Sequence, residues 1–346
     1  MRGSFALFVS LLACLAVGGA AAQSKTFDIY WVDVEGGAAT LVVSPTGESL
    51  LYDAGWQNDD RDAKRIFAAA SAAGVSRIDH FVLSHFHADH AGGMVALSKL
   101  MPFGRCYDRG DFIEPENQKW RDAYLSVCKD RRTILKPGDR IPLAGVAVDV
   151  VASDGKLITK PLPGGGPNAE CANVENHPKD VPENQLMVGA LFTYGRFRFI
   201  DLADLDWEKE LELVCPVNLI GRVSVWQAGR HGALDGAGAP GFLAAIEPQV
   251  VIVNNGPRKG WGGPTGAARE RLTDHYKRVA DVTPIDDVWQ VHASLFAGAR
   301  NVADERIANL TETDDQAHWL KVSVRADGTF TVTNGRTGYT KSYEAR

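Results

Sequence analysis

The chain has 346 residues, of which 45% are hydrophobic, 23% charged and 9% aromatic. That composition excludes disordered, collagen-like and coiled-coil classes and leaves ample material for a large core. Lys and Arg total 37 against 43 Asp and Glu, a net charge of -6, which excludes a broadly basic nucleic-acid surface though not a local basic groove.

Residues 1–22 have the pattern of a secretory signal peptide. Arg2 gives a positive start, Phe5 to Val17 an apolar stretch, and Ala20-Ala21-Ala22 a small-residue cleavage site before Gln23. The apolar stretch falls short of the roughly 20 residues that a bilayer span requires. An uncleaved anchor and a lipid-modified Cys14 are the competing readings. No other segment is long and apolar enough to cross a membrane, so the expectation is a secreted or periplasmic protein whose residues 23–346 form one domain.

Residues Thr26 to Val34 and Ala39 to Val43 read as two pairing strands, and Pro45-Thr46-Gly47 turns into a third run, Ser49 to Tyr52. Residues 61–73 have helical composition and spacing, with Gly74 as a stop. Ile78 to Ser84 is a short apolar run, the mark of a buried strand, and it leads directly into His85; residues 91–101 return to helix. Beyond that the chain reads as strand material with polar loops, with two strands between Ile134 and Val151. Residues 161–184 are rich in Pro, Gly and Asn, a long loop of the kind that is often functional. A hairpin follows around Tyr194-Gly195, then part of a helix over Leu243 to Ile246, a buried strand over Val250 to Val253, and a closing hairpin formed by Trp319 to Val324 and Thr329 to Thr333. Strands in groups with helices between them predict an α/β sandwich.

Export would put the cysteines in an oxidising compartment. Without Cys14 the count is even, and pairing Cys106 with Cys128 and Cys171 with Cys215 closes two modest loops. Four buried free thiols are the alternative. The chain has no CxxC spacing, so a thiolate zinc site is not expected.

Chemistry concentrates in residues 84–93, Ser-His-Phe-His-Ala-Asp-His-Ala-Gly-Gly, which hold three of the nine histidines. At a strand end, side chains two apart point the same way, so His85 and His87 can converge on one ion, and the next turn carries Asp89 and His90 round to a second. Imidazole with carboxylate suits zinc, and manganese or iron as well.

This HxHxDH pattern resembles the metallo-β-lactamase superfamily. Asp53-Ala54-Gly55 matches that family's Asp-x-Gly, whose aspartate stands behind a metal ligand. Arg198 to Asp204 resembles its strand ending in Gly-Asp, with Ala203 in the glycine's place and Asp204 as the bridging carboxylate. Gly229-Arg230-His231-Gly232 resembles a His-His-Gly segment, with Arg230 for the first histidine and His231 as the last ligand. Val32 to Thr40 and Glu183 to Val188 are similar to segments of the extracellular domain of ComEC-type DNA-uptake competence proteins and their secreted stand-alone relatives. The resemblance implies a four-layer αββα sandwich and two divalent ions held by His85, His87, Asp89, His90, Asp204 and His231.

Some positions depart from the family pattern. The histidine of the third motif has no clear counterpart; Asn184 lies near its place, and His177 in the preceding loop is an alternative. A Gly-His-Pro of the competence branch reads Gly262-Gly263-Pro264. His292 closes an apolar run that the family often leaves near its cleft, although a buried, hydrogen-bonded histidine is the ordinary case. His80 is expected to pack or to face solvent.

The chain has no Gly-x-Ser-x-Gly elbow, Walker loop or GxGxxG. The expectation is an exported metal-dependent hydrolase in which a hydroxide held by two metals attacks a phosphoester, most readily a phosphodiester. Asp89 would orient the nucleophile, and Arg230 would offer a cation to an anionic substrate. A small-molecule lactone, β-lactam or other carbonyl ester is the alternative substrate. A metal-binding protein without turnover is the reading from a different class.

Overall fold

Alternation in the first strand sets the layers. In β1 (Phe27–Val32), Phe27, Ile29 and Trp31 enter one core while Tyr30 and Val32 enter another, as the two faces of a pleated strand must. The computed structural model describes residues 26–111, 114–169, 171, 182–233, 236–261, 285–296, 301–313 and 317–346. The expected signal peptide, His177 and Gly262-Gly263-Pro264 lie outside the described residues.

The N-terminal half continues through β2 (Thr40–Val43), β3 (Ser49–Tyr52), α1 (Arg61–Ala72) and β4 (Ile78–Val82). Next come the short helices α2 (Ala88–Ala91) and α3 (Met94–Leu100), then β5 (Phe103–Asp108), α4 (Gln118–Cys128) and β6 (Arg132–Ile134). The second half runs through β7 (Arg140–Ile141), β8 (Ala147–Ser153), β9 (Lys156–Leu157), β10 (Gly166–Pro167), α5 (Pro182–Leu186), β11 (Gly189–Tyr194) and β12 (Phe197–Asp201). It proceeds to α6 (Trp207–Val214), β13 (Val217–Asn218), β14 (Val225–Gln227), α7 (Pro240–Ile246), β15 (Val250–Val253), β16 (Asp287–His292) and β17 (Ile307–Asn309). The last strands are β18 (Trp319–Val324), β19 (Thr329–Asn334) and β20 (Thr340–Glu344).

One sheet has the order β20-β19-β18-β1-β2-β3-β4-β5-β6, so the C-terminal hairpin returns to flank the first strand. The other runs β17-β16-β15-β14-β12-β11-β8-β7, with β9 beside β8. The sheets meet across Trp31 and Phe199, whose rings stand edge to face at 5.3 Å, and across the 2.6 Å bond from Trp31 Nε1 to Gln227 Oε1. Helices α1, α3 and α4 cover the outer face of the first sheet through Ile66, Leu97 and Tyr124. On the second sheet's side, α6 and α7 contribute Leu211, Phe242 and Leu243. The result is the expected four-layer αββα sandwich.

Parallel pairing matters most for the site. The pairs β3/β4 in one sheet and β12/β14 in the other are parallel, so their C-terminal ends open on the same rim of each sheet. In parallel sheets that rim is where ligands bind.

Several elements differ from the sequence reading. Residues 118–128 are helical where strand and polar loop were expected; Tyr124 and Cys128 are buried and Trp120, Ala123 and Val127 pack beside them, an i, i+3, i+4, i+7, i+8 stripe that marks a helix. The helix expected over 91–101 is two short ones, divided by Gly92-Gly93, and the polar loop 161–184 ends in α5. Both disulfides are as expected, Cys106 with Cys128 at a Cα separation of 5.7 Å and Cys171 with Cys215 at 5.6 Å. Among the described residues, no helix is long and apolar enough to cross a membrane.

Candidate metal centre

Three stretches converge at the rim. After β4 the chain carries His85, His87, Asp89 and His90; after β12 it carries Asp204; after β14 a 3-10 turn, Gly229–Gly232, carries His231. Their donor atoms form two groups, Asp89-His90-Asp204-His231 and His85-His87-Asp204, each within 4.8 Å. All six expected ligands are therefore together, and Asp204 belongs to both groups.

Distances inside the cluster are those of donors pointed at a shared centre. His231 Nε2 lies 3.2 Å from Asp89 Oδ2 and 3.4 Å from Asp204 Oδ1, and His90 Nε2 lies 3.5 Å from each carboxylate. His85 Nε2 and His87 Nδ1 are 2.9 Å apart. His90 Nε2, both nitrogens of His231 and Asp204 Oδ1 are buried without a hydrogen-bond partner. Buried polar atoms are costly to leave unmet, so this is a donor set shaped for cations. The residues fit two divalent ions.

The residues behind the ligands fix their orientation. Asp53, fully buried at the end of β3, accepts from Ser84 N, Ser84 Oγ and His90 Nδ1, each at 2.7 Å. That bond holds a proton on Nδ1 and turns Nε2 toward Asp89 and Asp204, the nitrogen that would meet a metal once its own proton is displaced. Ser84 Oγ is also 2.9 Å from His85 Nδ1. Ala203, which stands where the family pattern has glycine, has φ 43, and Arg230 and His231 have φ 51 and 57. Three non-glycine residues in the left-handed region beside the ligands are a local strain that the surrounding packing sustains.

Charge states suit the purpose. Burial alone would raise the carboxyls of Asp89 and Asp204, but the cations facing them outweigh it and hold both well below the usual carboxylate range. For Asp89 these are chiefly His90 and Lys259; for Asp204, His231 and His90. Burial, with the neighbouring histidines, pushes His85 and His87 down, so these two imidazoles are neutral ligands. Burial disfavours the charged form of His90 too, yet Asp89, Asp204 and Asp53 together raise it well above the ordinary histidine value. Asp201, buried at the end of β12, is pushed up to about 7 by desolvation while it accepts from Ala203 N and Gln227 Nε2.

Three further residues shape the site without being among the expected ligands or catalytic residues. Glu183, in α5, accepts from the backbone N of Phe86, between the two ligating histidines, at 2.8 Å. Its carboxylate is paired with Arg109, both side chains fully buried, and the guanidinium lies 5.0 Å over the Phe86 ring. Lys259, in the loop after β15, places its ammonium on Asp89 Oδ2 and 4.8 Å over the Trp56 ring. The HxHxDH spacing carried no signal for any of them, because their partners are distant in sequence.

Other expected residues have quieter places. Asn184 is buried in α5 beside Glu183. Arg230 packs its guanidinium against Gly236. His292 is fully buried and donates from Nδ1 to the Ala293 carbonyl at 2.7 Å. His80 packs on Tyr107, with Nε2 3.0 Å from Glu48.

Comparison with known proteins agrees with this geometry. The sequence profile of the metallo-beta-lactamase superfamily matches residues 32–168. "Recombination protein 2" of Haemophilus influenzae is 23% identical over 309 residues, 88% of this chain and 33% of its own. "Competence protein ComA" of Neisseria gonorrhoeae is 25% identical over 246 residues, 69% of this chain and 29% of its own. The chain thus spans about a third of the length of these curated relatives. A solved structure of a similar chain, the metallo-beta-lactamase fold protein YhfI from Bacillus subtilis, is 12% identical, with a TM-score of 0.46, over 76% of this chain and 96% of that one.

Proposed function

Because this chain has the metallo-β-lactamase fold, with the superfamily's profile over residues 32–168, we propose that it is an exported metal-dependent hydrolase of phosphoesters, most readily phosphodiesters. One observation carries the reading: two buried donor groups, each of at least three side chains, share Asp204. A pair of divalent ions bound there supplies Lewis acidity that polarises the scissile bond and acidifies water. Zinc is the first candidate, with manganese and iron also suited to the ligands.

The chain's own residues do the rest. His85 and His87 would hold one ion, His90, Asp89 and His231 the other, and Asp204 would contribute to both groups. Asp53 keeps the proton of His90 on Nδ1, away from the cluster. Asp89, ionised and 92% shielded in its side chain, would help to hold a metal and to orient the attacking water through its carboxylate. The water oxygen would bond to phosphorus as the P–O bond to the leaving group breaks, and the proton the water gives up would end on the departing alkoxide, making the alcohol. Arg230, next to His231, adds positive potential for an anionic substrate.

Support for the phosphodiester class comes from relatives named for recombination and competence, processes that handle phosphodiester polymers. Support for export comes from the signal-like residues 1–22 and from two disulfides, which persist in oxidising compartments. The deciding experiment is a substrate screen on metal-reconstituted mature protein, using bis-p-nitrophenyl phosphate, a lactone and nitrocefin. Saturable turnover of the phosphodiester is expected. Turnover of only the lactone or nitrocefin transfers the reading to carbonyl chemistry, and two bound metals with no turnover make the chain a binder.

A further inference from the structure

We infer that Lys259 is the residue by which this site grips an anionic oxygen of its substrate, a specificity role that rests on the phosphoester reading above. Its ammonium lies on Asp89 Oδ2, the atom that also faces His90 and His231. It is therefore at the cluster, although neither the HxHxDH spacing nor any metal-ligand pattern includes it.

The surrounding backbone is shaped to deliver it there. Lys259 is on the turn closed by Gly256 N donating to its carbonyl at 3.0 Å. Gly260, at φ +83, passes so close to His231 that a Cβ would come within 2.0 Å of the His231 carbonyl oxygen. Gly36, at φ +84, leaves room for the lysine stem, since a Cβ there would be 2.7 Å from Lys259 Cβ. Trp261 N then donates to the His231 carbonyl at 3.1 Å, which ties the loop to the last ligand. The Trp56 ring, 4.8 Å from the ammonium, forms the floor beneath it.

The charge is also in the right state of exposure. The Lys259 side chain is 37% exposed, so one side of the ammonium meets Asp89 and another faces solvent. An ammonium has three donor hydrogens, and a single carboxylate oxygen does not use them all. Its partner Asp89 is 8% exposed, so the pair bridges the buried cluster and the solvent-facing mouth. Neighbouring cations are committed elsewhere: Arg61 binds Glu35 and Asp62, and Arg65 binds Asp33 and Glu35. Among these described cations, Lys259 touches the cluster directly and also faces solvent, the side from which a phosphate oxygen would enter the site.

The test compares wild type, Lys259→Gln, Lys259→Arg and a remote charge control, Lys119→Gln, all metal-reconstituted. Metal content is measured by mass spectrometry and binding of inorganic phosphate by calorimetry at two ionic strengths. Lys259→Gln is expected to keep its metal, to lose about tenfold in phosphate affinity, and to show a shallower salt dependence. Lys259→Arg should keep most of the affinity and Lys119→Gln all of it. Unchanged phosphate affinity in Lys259→Gln overturns the inference, as does loss of metal in that variant or a wild type that binds no phosphate. Turnover of bis-p-nitrophenyl phosphate by wild type is measured alongside. If turnover is absent but phosphate binding still depends on Lys259, the phosphoester reading falls and the anion grip stands; turnover with a Lys259-independent affinity gives the reverse.

Discussion

Replacing Asp53 by asparagine should weaken metal binding without touching a ligand. Asp53 is wholly buried and accepts three hydrogens at 2.7 Å, from Ser84 N, Ser84 Oγ and His90 Nδ1. Asparagine keeps one oxygen for Ser84 N but turns an NH2 toward Ser84 Oγ and His90 Nδ1. The neutral His90 ring would then accept at Nδ1 and carry its proton on Nε2, the atom 3.5 Å from both Asp89 and Asp204. A metal would have to displace that proton or turn the ring. Losing such an orienting partner typically costs 10–100-fold in metal affinity, about 1.4–2.7 kcal/mol. Competition with a chromogenic chelator would measure it, with circular dichroism to show that the fold is kept. Wild-type affinity in a folded Asp53→Asn protein would refute the reasoning that Asp53 sets the tautomer of His90.

The six candidate ligands were legible because each is local to a motif: His85, His87, Asp89 and His90 within six residues, Asp204 after a recognisable strand, His231 beside glycines. The layers were legible from alternation, as in β1, and the hairpin returns from their turn residues. What escaped depends on long-range pairing. Glu183 binds the Phe86 backbone 97 residues away, and Lys259 meets Asp89 across 170. Periodicity carries no trace of such contacts. Helix α4 was legible in principle, since Trp120, Ala123, Tyr124, Val127 and Cys128 recur at helical spacing; a reading by composition passes over that stripe because polar residues separate its members. The Ala203 substitution was visible, but its meaning was not. At φ 43 the position takes a conformation that glycine adopts freely, which accounts for the glycine in the family pattern.

Three further outcomes follow from buried groups outside the candidate ligand set. Burial pushes Glu210 from 4.5 up to about 8, although it accepts from Gly238 N and Ala239 N. Because the folded value is raised, its contribution is complete below about pH 4.5 and is lost as pH rises through 8; Glu210→Gln should flatten the melting temperature across that window and stabilise the protein at pH 8 by on the order of a few kcal/mol. Removing the Cys106–Cys128 bridge, which spans 22 residues, with a paired change to serine should cost about 3.4 kcal/mol in urea unfolding on chain-entropy grounds, and an unchanged midpoint would contradict it. The buried pair of Glu183 and Arg109 makes the strongest case for positioning. Glu183→Gln leaves the Arg109 charge without its counter-ion at full burial, which should destabilise by about 3–5 kcal/mol. Glu183→Leu with Arg109→Met removes both charges and should recover most of that loss, yet it cannot restore the 2.8 Å bond to Phe86 N between His85 and His87. A double variant that regains stability but binds metal more weakly than wild type would separate the two effects, whereas full recovery of metal affinity would show that the loop needs no such anchor.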